Sequence, residues 1–136
     1  MTIPPNDLCP CSSGSKYKRC CRPLHQGVPA ETPEALMRSR FSAYAAGLVD
    51  YVIDSTDPRG PQWKQDRAAW SREIGSFCRG TVFEGLEILD SREEGDGGRV
   101  RFHAKLRQGG GDASFLEDST FVKSEGRWLY SSGQTS

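Results

Sequence analysis

The apolar positions of this chain change their period once, and the change divides it. From Thr32 they recur at helical steps: Met37, Phe41, Tyr44 and Leu48 are spaced by four, three and four and share one face. Thr32-Pro33-Glu34 supplies a hydroxyl N-cap, a proline at the first helical position and an acid in the first turn, and Gly47 ends the segment. Asp50 is placed to cap a short second helix through Tyr51, Val52 and Ile53, before Asp57-Pro58-Arg59-Gly60-Pro61 forces a loop. Asp66 caps a third helix with Ala69, Trp70, Ile74 and Phe77 on one side. Beyond Thr81 the period falls to two. The clearest strand is 99–107, where Val100, Phe102, Ala104 and Leu106 face one way and Arg99, Arg101, His103, Lys105 and Arg107 the other. Three more runs, 81–89 (Val82, Leu86 and Ile88 on one face), 113–123 and 127–131, read as strands, with a hairpin tip over 93–98 and a loop over 108–112. Helices first and an antiparallel meander afterwards predict an α+β fold, its helices packed on one face of a sheet.

The first 31 residues have neither period. Their content is chemical: Cys9-Pro10-Cys11, an eight-residue spacer, then Cys20-Cys21. Four thiolates close a tetrahedral shell around zinc, and the same set suits iron. In extended chain the two cysteines of a C-x-C point the same way. Gly14 supplies the positive φ that turns the chain back, and the second pair closes the cage at the start of a short helix. The competing arrangement is a pair of disulfides, 9–20 and 11–21, which needs an oxidising compartment. His25, four residues past Cys21, is the alternative fourth ligand. Pro23, Gly27 and Pro29 mark a connector, so 1–28 reads as a metal-binding module and 29–136 as the α+β body.

Charge sharpens this division. Lys plus Arg and Asp plus Glu are 18 each, so no global field calls for nucleic acid or a membrane. Residues 1–28 hold four basic groups and one acid, and the body holds 14 basic and 17 acidic groups. Lys16, Lys18, Arg19 and Arg22 therefore surround a centre that would carry net negative charge with four thiolates, and they favour the ionised sulfurs. No apolar run approaches the length of a membrane span, and the N-terminus has no secretory pattern, which predicts a reducing cytoplasm. Cys78, the odd thiol, reads as a small buried hydrophobe.

The cysteine stretch also carries a resemblance. Cys9, Cys11, Gly14, Tyr17, Lys18, Cys20 and Cys21 fall where the SEC-C motif has them, the metal-binding module named after the C-terminus of the SecA ATPase. The run Leu36-Met37-Arg38-Ser39-Arg40-Phe41-Ser42-Ala43-Tyr44, with Phe121, Gly126-Arg127-Trp128 and Gly133, resembles the YchJ-type family of bacterial proteins. That resemblance implies zinc and a nuclear transport factor 2-like (cystatin-like) body with helices on a curved antiparallel sheet. It supplies no activity. Thr56-Asp57-Pro58 stands where relatives often carry Trp-His-Pro, and Asp118 and Thr120 flank Ser119 where relatives tend to carry arginines. Both departures argue against a histidine base or an anion-binding arginine pair at those positions.

Three functions compete. A closed four-sulfur shell is structural rather than catalytic, so the leading expectation is a protein-interaction module whose knuckle presents Lys16, Tyr17, Lys18 and Arg19 to a protein partner. The second is ligand binding or catalysis in a cavity of the body, for which Tyr44, Asp54 and Glu117 are the candidate polar residues. No acid–base pair at a diagnostic spacing supports an enzyme, no small-molecule substrate is identifiable, and an ion pair of Glu117 with Arg38 or Arg40 would explain that acid without chemistry. The third is RNA or ribosome association through basic surfaces, the strand face alone or with the lysines of the metal module, against which pairing of the strand with Glu84 and Glu87 is the plainer reading.

Overall fold

The computed structural model describes residues 2–135. Helices α1 (Arg22–His25), α2 (Pro33–Ala46), α3 (Val49–Asp54) and α4 (Arg67–Arg79) precede the strands β1 (Thr81–Glu94), β2 (Gly97–Gln108), β3 (Gly111–Asp112), β4 (Phe115–Ser124) and β5 (Arg127–Thr135). The caps form as the sequence predicts at two helices. Thr32 Oγ1 accepts from Ala35 N–H at 3.1 Å, and Asp66 Oδ1 from Ala69 N–H at 3.0 Å. Gly47 takes the left-handed conformation that ends α2. It hands the chain directly to α3, which starts at Val49. Asp50 thus lies inside the first turn rather than at the cap, still favourably placed for the helix dipole.

The strands form one antiparallel sheet in the order β1-β2-β4-β5, with β3 folded back onto β2. Register shifts between Phe83 and Gly85, between Ile88 and Asp90, and between Thr120 and Phe121 bend it. The first shift inverts the expected parity only at the start of β1, since Leu86 and Ile88 beyond it face the core as expected. Phe83 turns toward the helices, while Val82, expected inside, is exposed. The predicted six-residue tip shrinks to a turn at Gly95-Asp96, because backbone pairing continues through polar residues that face water on both sides.

Helix α2 is the hub. Leu36, Met37 and Phe41 pack on Val100, Phe102, Ala104, Leu106, Phe121 and Trp128 of the sheet. Ala43 joins Val52, Ile53, Trp70, Ile74 and Cys78 in a second cluster with α3 and α4. Ser39, Arg40 and Ser42 are also buried, so α2 has no simple wet face. Its first turn lies directly on the sheet because β2 has a glycine there: a Cβ on Gly98 would come 3.3 Å from Trp128 and closer still to Pro33. Beyond α3, Thr56 pairs with Tyr130 of β5, through Tyr130 N–H to Ser55 O and Asp57 N–H to Tyr130 O, both 2.8 Å. Among the described residues no helix is long and apolar enough to cross a membrane.

Candidate metal centre

Backbone hydrogen bonds shape the cysteine loop before any side chain does. Cys9 N–H donates to Ser15 O at 2.8 Å and Tyr17 N–H to Asp7 O at 2.8 Å, so Leu8 and Lys16 face each other as an antiparallel bridge. The return needs two left-handed residues, Gly14 as expected and also Ser12. A 3-10 turn, Tyr17–Arg19, then delivers Cys20 and Cys21, and Cys21 is the residue that opens α1.

The result is a sulfur cage. The Sγ atoms of Cys9, Cys11, Cys20 and Cys21 all lie within 4.8 Å of one another. Cys11 and Cys20 are 3.5 Å apart and Cys20 and Cys21 3.9 Å. A tetrahedral ion with Zn–S bonds of about 2.3 Å requires S–S separations of about 3.8 Å, so the cage fits a four-sulfur ion. All five cysteines are free thiols, which removes the disulfide alternative. His25 is not a ligand. Its Nε2 lies 2.8 Å from Ser39 O, a group that only accepts, so Nε2 carries the proton and Nδ1 accepts from the Tyr17 hydroxyl at 2.7 Å.

Without an ion the cage must hold protons. Burial pushes the Cys20 thiol up to about 11, and hydrogen bonding to Cys11 and Cys9, with burial, pushes Cys21 up strongly. Cys11 moves the other way because Cys21 and Cys9 donate to it. Thiols must lose their protons to bind, so a divalent cation displaces protons on entry.

The body completes this centre. Ser42 Oγ of α2 lies 3.1 Å from Cys21 Sγ and 3.3 Å from Cys9 Sγ. Arg38 Nη1 donates to Cys11 O at 2.8 Å, and Ser12 Oγ accepts from Leu86 N–H at 3.0 Å. The knuckle thus rests on α2 and β1. Lys16, Lys18 and Arg19 are exposed on its far side. Tyr17, grouped with them by sequence, is buried, since its ring packs among the cysteines and its hydroxyl serves His25.

The body also contains a cavity of about 380 Å³ between α2, α4 and the sheet. Tyr44 and Glu117 line it. Asp54 does not: it is exposed and paired with Arg67 at 3.1 Å. Glu117 pairs with neither arginine. Its Oε2 accepts from Ser119 Oγ and lies 3.4 Å from the Tyr130 hydroxyl, while Arg38 pairs with Glu34. The residue that sequence reading did not single out is Arg40, considered only as an ion-pair partner for Glu117 yet buried at the cavity. Two arginines one serine apart, on a helix whose other positions apart from Glu34 are uncharged, were the available signal.

Comparison with known proteins agrees with this geometry. The family model for the YchJ middle NTF2-like domain matches residues 32–133, and that for the SEC-C motif matches residues 6–23. The UPF0225 protein CE1570 of Corynebacterium efficiens is 44% identical over 131 residues, which cover 92% of this chain and 91% of that one. The chain belongs to the UPF0225, YchJ-type family. Among solved structures, the SEC-C motif containing protein RPA3114 of Rhodopseudomonas palustris superposes with a TM-score of 0.81 at 39% identity, covering 94% of this chain and 98% of its own. A SEC-C motif containing protein of Psychrobacter arcticus gives 0.74 at 26% identity, over 94% and 82%. Both likenesses span the knuckle and the body together.

Three of the five basic residues of the strand stand near acids, whereas Arg99 lies opposite Arg92 and Thr120 and Lys105 opposite Gly85. Arg107 Nε is 3.3 Å from Glu84, Arg101 sits opposite Asp90 and Asp118, and His103 sits opposite Glu87.

Proposed function

We propose that the knuckle binds zinc through Cys9, Cys11, Cys20 and Cys21, and that the protein works in the cytoplasm as a metal-dependent docking module for a protein partner. The observation that carries this reading is the four-sulfur cage itself. It leaves no coordination position for a substrate, so the metal's work is to hold shape. Free thiols at such a centre need a reducing compartment, which supports the cytoplasm.

What the metal holds in place is one exposed face. Leu8, 69% exposed, is bridged to Lys16, with Lys18 and Arg19 on the following turn. An apolar side chain beside three cations suits an acidic segment that carries an apolar residue. The basic strand offers a weaker face for RNA, because acids stand across from Arg101, His103 and Arg107.

Capture of a partner by the zinc-loaded chain tests the reading against two variants. The triple Lys16→Glu, Lys18→Glu, Arg19→Glu variant keeps the metal and reverses the surface, and Cys20→Ser with Cys21→Ser removes the metal. Loss of the same partner from both supports docking through the knuckle. Undiminished capture by either sinks it.

A further inference from the structure

Among the described residues Arg40 is a buried cation without a counter-ion. It is 5% exposed, and its Nη1 donates to Val52 O at 2.9 Å, Ser55 Oγ at 2.7 Å and Thr56 Oγ1 at 3.1 Å. Its Nε and Nη2 have no hydrogen-bond partner among the described residues, and no carboxylate there lies within ion-pair distance of it. Burying an unpaired charge is costly for folding alone.

A carboxylate lines the same cavity without meeting it. Glu117 holds Ser119 and Tyr130 on Oε2, and its Oε1 has no partner among the described residues. Tyr130 separates the two charges: the guanidinium stacks 4.5 Å from the centre of its ring, and its hydroxyl is at Glu117. Both charged groups are tied in place. Arg40 is held by the end of α3, and Glu117 fits against Gly133, where a Cβ would come 2.6 Å from the Glu117 carboxyl carbon. Burial and the Glu117 charge raise the Tyr130 phenol, so it stays a proton donor. The cavity walls include the rings of Phe41, Tyr44, Phe83 and Phe115, with Gln62 and the mutually paired Lys64 and Glu73 also lining it. Its size lies within the range of about 300–1,000 Å³ usual for small-molecule pockets.

We propose that this cavity binds a small apolar acid that carries a hydrogen-bond donor beside its carboxylate: a 2-amino or 2-hydroxy acid with an aromatic or branched side chain. The carboxylate satisfies the free nitrogens of Arg40, the amino or hydroxy group donates to Glu117, and the side chain lies among the rings. A simple carboxylic acid would leave Glu117 unanswered beside a second negative charge. A simple amine would leave Arg40 unanswered, and a hydrocarbon both. The site is separate from the knuckle and goes beyond docking.

The metal-loaded full chain is titrated with L-phenylalanine, L-3-phenyllactate, 3-phenylpropionate and phenethylamine, following backbone amide resonances around Arg40, Glu117 and Tyr130. Phenylalanine or phenyllactate is expected to shift them and to bind at least about tenfold more tightly than both singly functional probes. Which of the two binds better separates amino from hydroxy acids. Glu117→Gln keeps an acceptor for Ser119 and is expected to erase the preference for a 2-substituent. No shift with any probe at about 10 mM, where even a millimolar site fills, overturns the proposal. So does 3-phenylpropionate binding as tightly as phenylalanine. The probe series on the unaltered chain decides alone if the Gln variant does not fold.

Discussion

The knuckle and the cavity both bury charge, by opposite means. In the knuckle four sulfurs converge until only a cation can let them all ionise, and little else holds the segment. Its apolar cluster is the cysteines, Tyr17 and part of Ile3. Around the cavity Arg40 and Glu117 are held apart by hydrogen bonds to a scaffold with its own hydrophobic core. On the readings proposed above, one region takes its shape from a metal and the other has its shape before a ligand arrives.

Metal removal is the largest expected effect and should divide the two. Four-cysteine zinc binding supplies about 10–16 kcal/mol to a segment too small to fold alone. Chelation, or Cys20→Ser with Cys21→Ser, is expected to abolish hydrogen-exchange protection over residues 6–23 while the amides of β2, β4 and β5 stay protected. Because thiols must lose protons to bind, zinc uptake is expected to release protons and to tighten as pH rises. A sheet that melts together with the knuckle would show that the two are not energetically separate.

Phe121→Ala is the converse experiment. Phe121 is fully buried between α2 and the sheet and meets the ring of Tyr130 edge-on. The substitution is expected to cost about 3–5 kcal/mol in denaturant unfolding of the body, and zinc stoichiometry should remain one per chain under native conditions.

The same contrast explains what could be read from the residues. Cys9, Cys11, Cys20 and Cys21 announce themselves because coordination chemistry fixes both residue type and spacing. Helix α2 announces itself through Thr32 and Gly47, whose roles are local. The inward face of β2 was legible because its alternation runs without a break. Only the start of strand β1 was misread, at Val82, because the register shift after Phe83 exchanges inside for outside there, and nothing in the order of residues marks where a strand slips. Tyr17 and Arg40 were misplaced for a shared reason. Each is amphipathic, and whether its polar end meets water or a buried partner depends on elements distant in the chain, His25 for one and the end of α3 for the other.

Ser42 joins the two regions and predicts an intermediate effect. Its hydroxyl can donate only one hydrogen, and Cys21, Cys9 and the Arg38 carbonyl, at 3.1, 3.3 and 3.2 Å, all compete for it. Metal-bound sulfur is acceptor-only and negative, so loading should draw the proton toward the cage. Ser42→Ala is expected to weaken zinc binding about 10- to 100-fold, as loss of an outer-shell donor does. Stability of the metal-free body should change little. Equal affinity in the variant, measured by competition with a chromophoric chelator, would reduce Ser42 to packing.

The smallest effect is a pH dependence at His25, where knuckle and body meet. Burial lowers its pKa below the usual value, so the folded state favours the neutral ring. An unfolded chain takes up the proton at about pH 6.5 and the folded chain only at lower pH, so stability rises with pH between those two values. The contribution is therefore complete above about pH 6.5 and lost as pH falls toward the folded value. The loss stays modest because the Tyr17 hydroxyl can turn and accept from a protonated Nδ1, leaving burial as the main cost. Acid also competes with the metal for sulfur, so wild type alone cannot isolate the histidine. His25→Gln has no proton to gain, and the difference between the unfolding midpoints of the two proteins should narrow as pH is lowered from 7.5 to 5.5. A difference constant across that range would mean that His25 takes up its proton at the same pH in both states, and that the seam between knuckle and body does not sense acid.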